Sequence, residues 1–303
     1  MDIVKTKHPI NAQERSDRWT ALFLIIPSLI GFTLFFGFPA LRGLYLSFTE
    51  YDLFGEPSFS GLENYRILFA DDEFWNSLRV TFRYVIFNIP LQTVLGLLIA
   101  VAVTQISAGS STLRGVIILP WLLPNVVVGL LWLWLLDPTL GIINEWIRAL
   151  GFTRVPFLTS TRFALVSIAG INIWRHVGYT ALLFFAGLQT IPQSLYEAAE
   201  IDGATQWQRF WSITLPLIRP IMTFVVITSV IGSFQLFDTV AVTTGGGPNR
   251  ATEVLIMYVY KHAFRRFNMG FGSAASMILF LILLLFTITY MKRTRAGESD
   301  LGG

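Results

Sequence analysis

Six apolar stretches divide the 303-residue chain, at about residues 19–41, 81–105, 116–136, 163–188, 221–242 and 271–291. A helix needs about 20 largely apolar residues to cross a bilayer core about 30 Å thick, and each stretch has that length. Backbone N–H and C=O groups in lipid must bond within their own segment, so all six are predicted as helices. Pro27, Pro90, Pro120 and Pro124 lie in or beside these stretches and predict kinks, which neighbouring helices tolerate. Between the fourth and fifth stretches, residues 191–220 form a polar interruption unlike any other in the chain.

That interruption is full of helix signals. Ser194 stands three residues before Glu197, the capping-box spacing that starts a helix. Leu195, Ala198, Ala199 and Ile201 supply a small apolar face, and Gly203 suits the left-handed residue that ends such a helix. Thr205 and Gln208 repeat the capping-box spacing, and Trp207, Phe210, Trp211 and Ile213 make a second amphipathic face. Pro216 and Pro220 are expected to end it and open the fifth stretch. The prediction is helix, glycine bend, helix, each too short to span. Two readings fit these residues. In one, Glu197 only caps a helix and the aromatics rest on the membrane surface. In the other, small alanines let a partner approach closely and Glu197 offers it a charge.

Composition supports the spans. Apolar residues make up 53% of the chain, charged residues 14%, and the mean hydropathy is +0.60. Soluble domains carry nearer 25% charged residues, so the expected class is an all-α, polytopic membrane protein with six transmembrane helices. The polar start of the chain and the lack of a cleavage site make the first stretch a retained span rather than a signal peptide. The 22 Lys and Arg divide almost evenly between the two sides, but those flanking the first and last spans favour both tails, 1–18 and 293–303, inside. With a net charge of +3 and no basic cluster interleaved with aromatics, nucleic acid is not an expected partner. The chain has no Cys and so no thiolate chemistry. Residues 61–75 and 144–150 read as short interfacial helices. Gly245-Gly246-Gly247-Pro248 reads as a turn: no Lys follows it and no strand precedes it, as a phosphate loop requires.

Polar groups at membrane depth face a cavity or a partner. The fourth stretch carries Asn172, Trp174, Arg175, His176 and Tyr179; the fifth carries Ser229, Ser233, Gln235 and Asp238, interleaved with Phe234 and Phe237. Asn88, Gln92 and Asn125 are further candidates. Such groups also serve as helix–helix glue, and Trp or Tyr as interface belt. Arg175 and Asp238 are expected to pair across the two spans, and His176 to be a satisfied polar contact rather than a metal ligand.

Glu197-Ala198-Ala199, Asp202-Gly203-Ala204, Phe210, Ile213, Leu215-Pro216 and Pro220 resemble the "EAA" loop of ABC importer permeases. Over roughly residues 19–292 the chain resembles the binding-protein-dependent sugar permeases, the maltose and glycerol-3-phosphate type, in their compact six-span form. Gly61-Leu62-Glu63-Asn64-Tyr65, Leu119-Pro120, Ile191-Pro192 and Thr244-Gly245-Gly246-Gly247-Pro248 share in this resemblance. It implies a transmembrane permease domain over 19–292, with the loop cytoplasmic and Glu197, Ala198, Ala199, Asp202 and Gly203 contacting an ATPase subunit. The fourth and fifth spans would line the solute route, with Asn172, Trp174, Tyr179, Ser233, Phe234, Gln235 and Asp238 the expected contacts.

The implied assembly is a second permease, a paralogue, with two ATPase subunits and an extracytoplasmic solute-binding protein, in a bacterial or archaeal inner membrane with both termini cytoplasmic. No catalytic or metal site is expected on this chain. It lacks a Gly-x-x-x-x-Gly-Lys-Ser/Thr loop, so ATP and Mg belong on the partner. An ion-coupled secondary transporter, or an ABC permease for a solute other than sugar, is the alternative.

Overall fold

The computed structural model describes residues 12–104 and 110–294. The calls on residues 1–11 and 295–303 of the two tails, and on Gln105 at the end of the second stretch, lie outside the described residues. Helix α1 (Ala12–Phe32) continues through a π-helical turn, Thr33–Gly37, into α2 (Phe38–Leu46). Pro39 at the second position of α2 has no N–H to donate, and the wider turn before it accommodates the loss. Two short antiparallel strands, β1 (Thr49–Glu50) and β2 (Ser58–Phe59), then lead to α3 (Glu63–Ala70) and α4 (Asp72–Thr104).

The helix predicted over 61–75 thus stops early, and Trp75 belongs to α4. Asp71 is the reason. Its backbone is extended (ψ 115°), and its Oδ1 accepts the Glu73 N–H at 2.8 Å, an N-cap that ends one helix and starts the next.

Helices α5 (Ser110–Leu122) and α6 (Asn125–Leu135) replace the predicted third stretch and meet at 91°, a sharper break than a proline kink. Then come α7 (Ile142–Ala149) and α8 (Ala164–Leu188). The predicted interruption holds α9 (Gln193–Ile201), α10 (Gln206–Arg209), a π turn at Phe210–Thr214 and α11 (Leu215–Leu217). The chain closes with α12 (Arg219–Phe234), α13 (Asp238–Thr243), α14 (Leu255–Tyr260), a third π turn (Lys261–Arg265) and α15 (Met269–Thr294).

Among the described residues four helical stretches are long and apolar enough to cross a membrane: Thr20–Leu46, Asp72–Thr104, Arg219–Thr243 and Met269–Thr294. The α5–α6 pair makes a fifth if its two arms count as one span. At 25 residues α8 has the length, but Asn172, Arg175 and His176 dilute its middle.

Helix α4 is the spine, packed along α8 and also touching α5, α12 and α14. Three apolar clusters follow it from end to end. The first holds Leu68, Phe74, Leu255, Tyr258 and Phe271, the second Tyr84, Val128, Ile168 and Val240, and the third Leu97, Phe184, Ile191 and Ile218. The two ends of the bundle differ. At one, Glu73 pairs with Arg250 at 2.6 Å, Tyr258 donates to Asp71 at 2.5 Å, and Lys261 pairs with Glu253 at 2.7 Å. The other end carries α9, α10 and α11.

Candidate functional site: paired helix breaks and an exposed helical bend

The α5–α6 break frees backbone carbonyls: Asn125 and Val127, whose N–H groups would serve Trp121 O and Leu123 O in a continuous helix, lie in the first turn of α6, turned away by 91°. Arg175 of α8 supplies the donors. Its Nη2 donates to Trp121 O at 3.1 Å and Leu123 O at 2.9 Å, and its Nε to Leu123 O at 3.2 Å. One helical turn on, the Tyr179 ring stacks on Trp121, with centroids 4.6 Å apart and planes 9° apart. Arg175 Nη1 also lies 2.8 Å from His176 Nε2, and His176 Nδ1 lies 2.9 Å from Asn172 O. A guanidinium only donates, so Nε2 accepts and the proton sits on Nδ1, donated to the carbonyl. His176 is therefore a satisfied polar contact within its own helix.

The second break, Gln235–Phe237, separates α12 from α13. Asp238 opens α13, and its Oδ2 accepts from Asn125 Nδ2, the first residue of α6, at 3.0 Å. The two breaks are thus tied to each other. The expected Arg175–Asp238 pair does not form among the described ion pairs. The reason is local: the freed carbonyls and His176 take the arginine's donors, while Asn125 holds the carboxylate.

A buried polar network crosses the bundle beside these breaks. Asn88 donates to Ser233 Oγ at 3.2 Å and to Gln92 Oε1 at 3.3 Å, and it accepts from Asn172 at 3.1 Å. Gln92 in turn donates to Thr180 Oγ1 at 2.9 Å and Ser229 Oγ at 3.4 Å. Asn172 and Ser233 are therefore joined through Asn88, α8 to α12 by way of α4. Phe234 is buried edge-on against Phe82. Trp174 and Gln235 are exposed, Trp174 edge-on to Trp132 at 5.4 Å. Sequence reasoning missed Trp121 and Thr180. An aromatic residue between Pro120 and Pro124 was a usable signal for the first, whereas nothing local marks Thr180.

At the far end, α9 starts directly after Pro192, whose backbone is extended (ψ 129°). That puts Ser194 inside the first turn, so the predicted Ser194–Glu197 box does not form and no side chain caps the helix. The Thr205–Gln208 box does form: the Gln208 N–H donates to Thr205 Oγ1 at 3.3 Å and the Thr205 N–H to Gln208 Oε1 at 2.8 Å. Gly203 has φ +76°. Its N–H bonds Glu200 O and that of Ala204 bonds Ala199 O, the two bonds of a Schellman end.

The π turn before Pro216 absorbs its missing N–H, so the helix runs one residue past it, to Leu217; Ile218 (ψ 3°) then separates α11 from α12, which Pro220 opens at its second position. Glu200 braces the bend against Arg209 at 3.2 Å, and the Tyr196 and Thr214 hydroxyls bond at 2.9 Å. Glu197, Ala198, Asp202 and Gly203 stand exposed, Ala199 is half-buried, and Ile201 is 87% exposed.

Residues 92–293 match the family of binding-protein-dependent transport system inner membrane components. The chain belongs to that family. Relatives match it along most of its length. The permease is 34% identical to the sulfoquinovosyl glycerol transport system permease protein SmoG of Agrobacterium fabrum, over 93% of this chain and 92% of the relative. It is 36% identical to the sn-glycerol-3-phosphate transport system permease protein UgpA of the same organism (87% and 90%). It is 34% identical to the trehalose/maltose transport system permease protein MalF of Thermococcus litoralis (89% and 91%). A chain of a bacterial ABC transporter involved in import of the acidic polysaccharide alginate has the same fold, with a TM-score of 0.82 at 22% identity over 95% of this permease and 99% of that chain.

Proposed function

We propose that this permease is a membrane subunit of an ATP-driven importer for a sugar or a sugar-derived solute. The observation that carries the cargo class is the set of relatives just named, each matched along at least 87% of this chain and each named for a sugar, a sugar glycoside or glycerol phosphate.

Six spans fit the helices: the four apolar stretches, the broken α5–α6 pair and α8. With six spans, α9 and both tails share one side and the Glu73–Arg250 end lies on the other; in this reading the α9 side is the cytoplasm. The exposed face of α9 is the ATPase contact, made by Glu197, Ala198, Ala199, Asp202 and Gly203. ATP and Mg are held by that partner. The bend stands on the end of α8, whose Arg175 and Tyr179 hold the first break, and on the start of α12, which ends at the second. Closure of the ATPase subunits therefore moves the breaks as rigid bodies, which is alternating access. Broken helices at membrane depth are where transporters place solute sites. Trp174, Tyr179, Gln235 and Asp238 are the proposed contacts nearest the breaks, and Asn172, Ser233 and Phe234 complete the predicted path. A second permease and a solute-binding protein complete the assembly. No part of the most apolar window of the first span is buried against its own chain, which supports a second membrane subunit beside it.

The test is uptake into vesicles holding the assembled complex. Sugar uptake should require ATP, and Glu197→Lys should abolish it while leaving membrane insertion unchanged. Uptake that persists without ATP and collapses with an ion gradient overturns the reading in favour of a secondary transporter. Normal assembly and transport by the Glu197→Lys variant overturns the coupling assignment alone.

A further inference from the structure

Two polar groups are buried without a partner inside the bundle. Tyr84 Oη of α4 and Trp132 Nε1 of α6 make no hydrogen bond among the described residues, and less than 1 Å² of either atom is open, too little for a water to touch. Tyr84 as a whole is fully buried. Such groups are rare in folded proteins, because each gives up its hydration and gains no bond in return. Both belong to the second apolar cluster, with Val128, Ile168, Leu236 and Val240.

That cluster is a seam between two blocks, each knit tightly within itself. In one, the Asn88–Gln92 network joins α4, α8 and α12, and a β-carbon on Gly96 of α4 would fall 2.6 Å from Thr180 Cγ2 of α8. In the other, α6 packs mainly on α13: a β-carbon on Gly129 would fall 2.3 Å from Val242 Cγ2, and Asn125 bonds Asp238. Across the seam the join is different in kind. Among the described residues no hydrogen bond links α6 or α13 to α4 or α8. Helices α6 and α13 also both begin at a break, and element ends are where hinges absorb a change of backbone angle.

We infer that α6 and α13 part from α4 and α8 along this seam as one arm, and that the unmet donors of Tyr84 and Trp132 keep the seam easy to open, because parting lets water reach both. A satisfied pair at the same place would lock the blocks together; an unmet pair penalises only the closed arrangement. The inference rests on the proposed alternating access for its second state, and adds to it the line along which this chain divides and the groups that bias the division.

The chain has no Cys, so a thiol placed in the seam reports its opening. Val240→Cys, fully buried there, should react with a water-soluble maleimide in the assembled complex during ATP hydrolysis. Val225→Cys, 1% exposed and in the third cluster, within the other block, should stay protected. Ala169→Cys, on the α8 side of the seam, repeats the measurement should Val240→Cys not assemble. Tyr84→Phe keeps the ring and removes only the hydroxyl, so it should slow the seam reaction about tenfold and raise the melting temperature of the complex. Equal labelling of the seam and third-cluster thiols, or none in the seam during hydrolysis, overturns the arm. An unchanged or faster seam reaction in Tyr84→Phe, or a lower melting temperature, overturns the role of the hydroxyl, which would then have a partner. A complex that hydrolyses ATP but takes up no sugar overturns the proposed cargo and leaves the labelling pattern in place.

Discussion

The α-carbon of Gly178 in α8 lies so close to the backbone of Ile117 in α5 that a β-carbon there would fall 2.0 Å from the Ile117 carbonyl oxygen. This contact sits between Arg175 and Tyr179, the residues that hold the α5–α6 break, and it sets the separation at which both reach Trp121. Gly178→Ala is expected to force the helices apart and destabilise the permease by about 1–3 kcal/mol, the usual cost of overpacking. Gly170→Ala on the same helix, where a β-carbon meets nothing within 4 Å, should be neutral. Thermal unfolding of the purified proteins compares the two.

Arg175 is expected to matter for its fork as well as its charge. Lys cannot serve two carbonyls from one planar group, so Arg175→Lys should retain only part of the uptake and Arg175→Ala should lose nearly all of it. Bonds from a charged donor contribute about 1.5–3 kcal/mol each, and here the freed carbonyls have lipid as the alternative. The exchange Arg175→Asp with Asp238→Arg should restore nothing, since the two side chains do not bond each other. Recovery of uptake in the exchange would show instead that they pair during the cycle.

Much of this was legible in the chain and some was not, for identifiable reasons. The positions of the four long apolar helices follow from apolarity, which needs no partner to be read. The bend at Gly203 follows from one residue's freedom to take φ +76°. The first capping box failed because Pro192 started the helix two residues before Ser194, so that a backbone constraint overrode a side-chain spacing. Asn88 and Gln92 were visible as polar groups in a span, but their joining of α4, α8 and α12 depends on contacts 84 to 145 residues apart, which no local pattern encodes. The Arg175 clamp was hidden the same way: two charges in neighbouring spans suggested a salt bridge, while the acceptors were backbone carbonyls that the sequence does not mark.

Gly203 tests the bend. Its left-handed backbone costs a residue with a β-carbon about 1–2 kcal/mol, so Gly203→Ala should loosen the joint between α9 and α10, and Gly203→Asn should do so less. Both variants should insert and fold, because the residue is exposed and a β-carbon meets nothing within 4 Å. The expected loss is in uptake per ATP hydrolysed by the assembled complex, larger for alanine. Equal coupling in all three proteins would mean that the joint's stiffness is irrelevant to transport.

His262 gives the permease a pH dependence at the end opposite the bend. The imidazole is buried, packed on Tyr258 at 4.3 Å and Phe271 at 4.8 Å, with Arg266 Nη1 at 3.1 Å from its Nε2. Burial first, then the charge of Arg266, lowers its pKa to about 4; Lys261 adds slightly to this, and Asp71 and Glu73 pull the other way. In the unfolded chain the ring titrates near 6.5, so between about pH 6.5 and 4 the unfolded state binds a proton that the folded state refuses. The contribution of His262 to stability is therefore fully present above about pH 6.5 and is lost as the pH falls toward 4. Thermal unfolding of the purified permease should show this decline, and His262→Gln, which keeps an acceptor for Arg266 but cannot be protonated in this range, should flatten it. A decline unchanged in the glutamine variant would assign it to Asp71, Glu73 and the other carboxylates of that end.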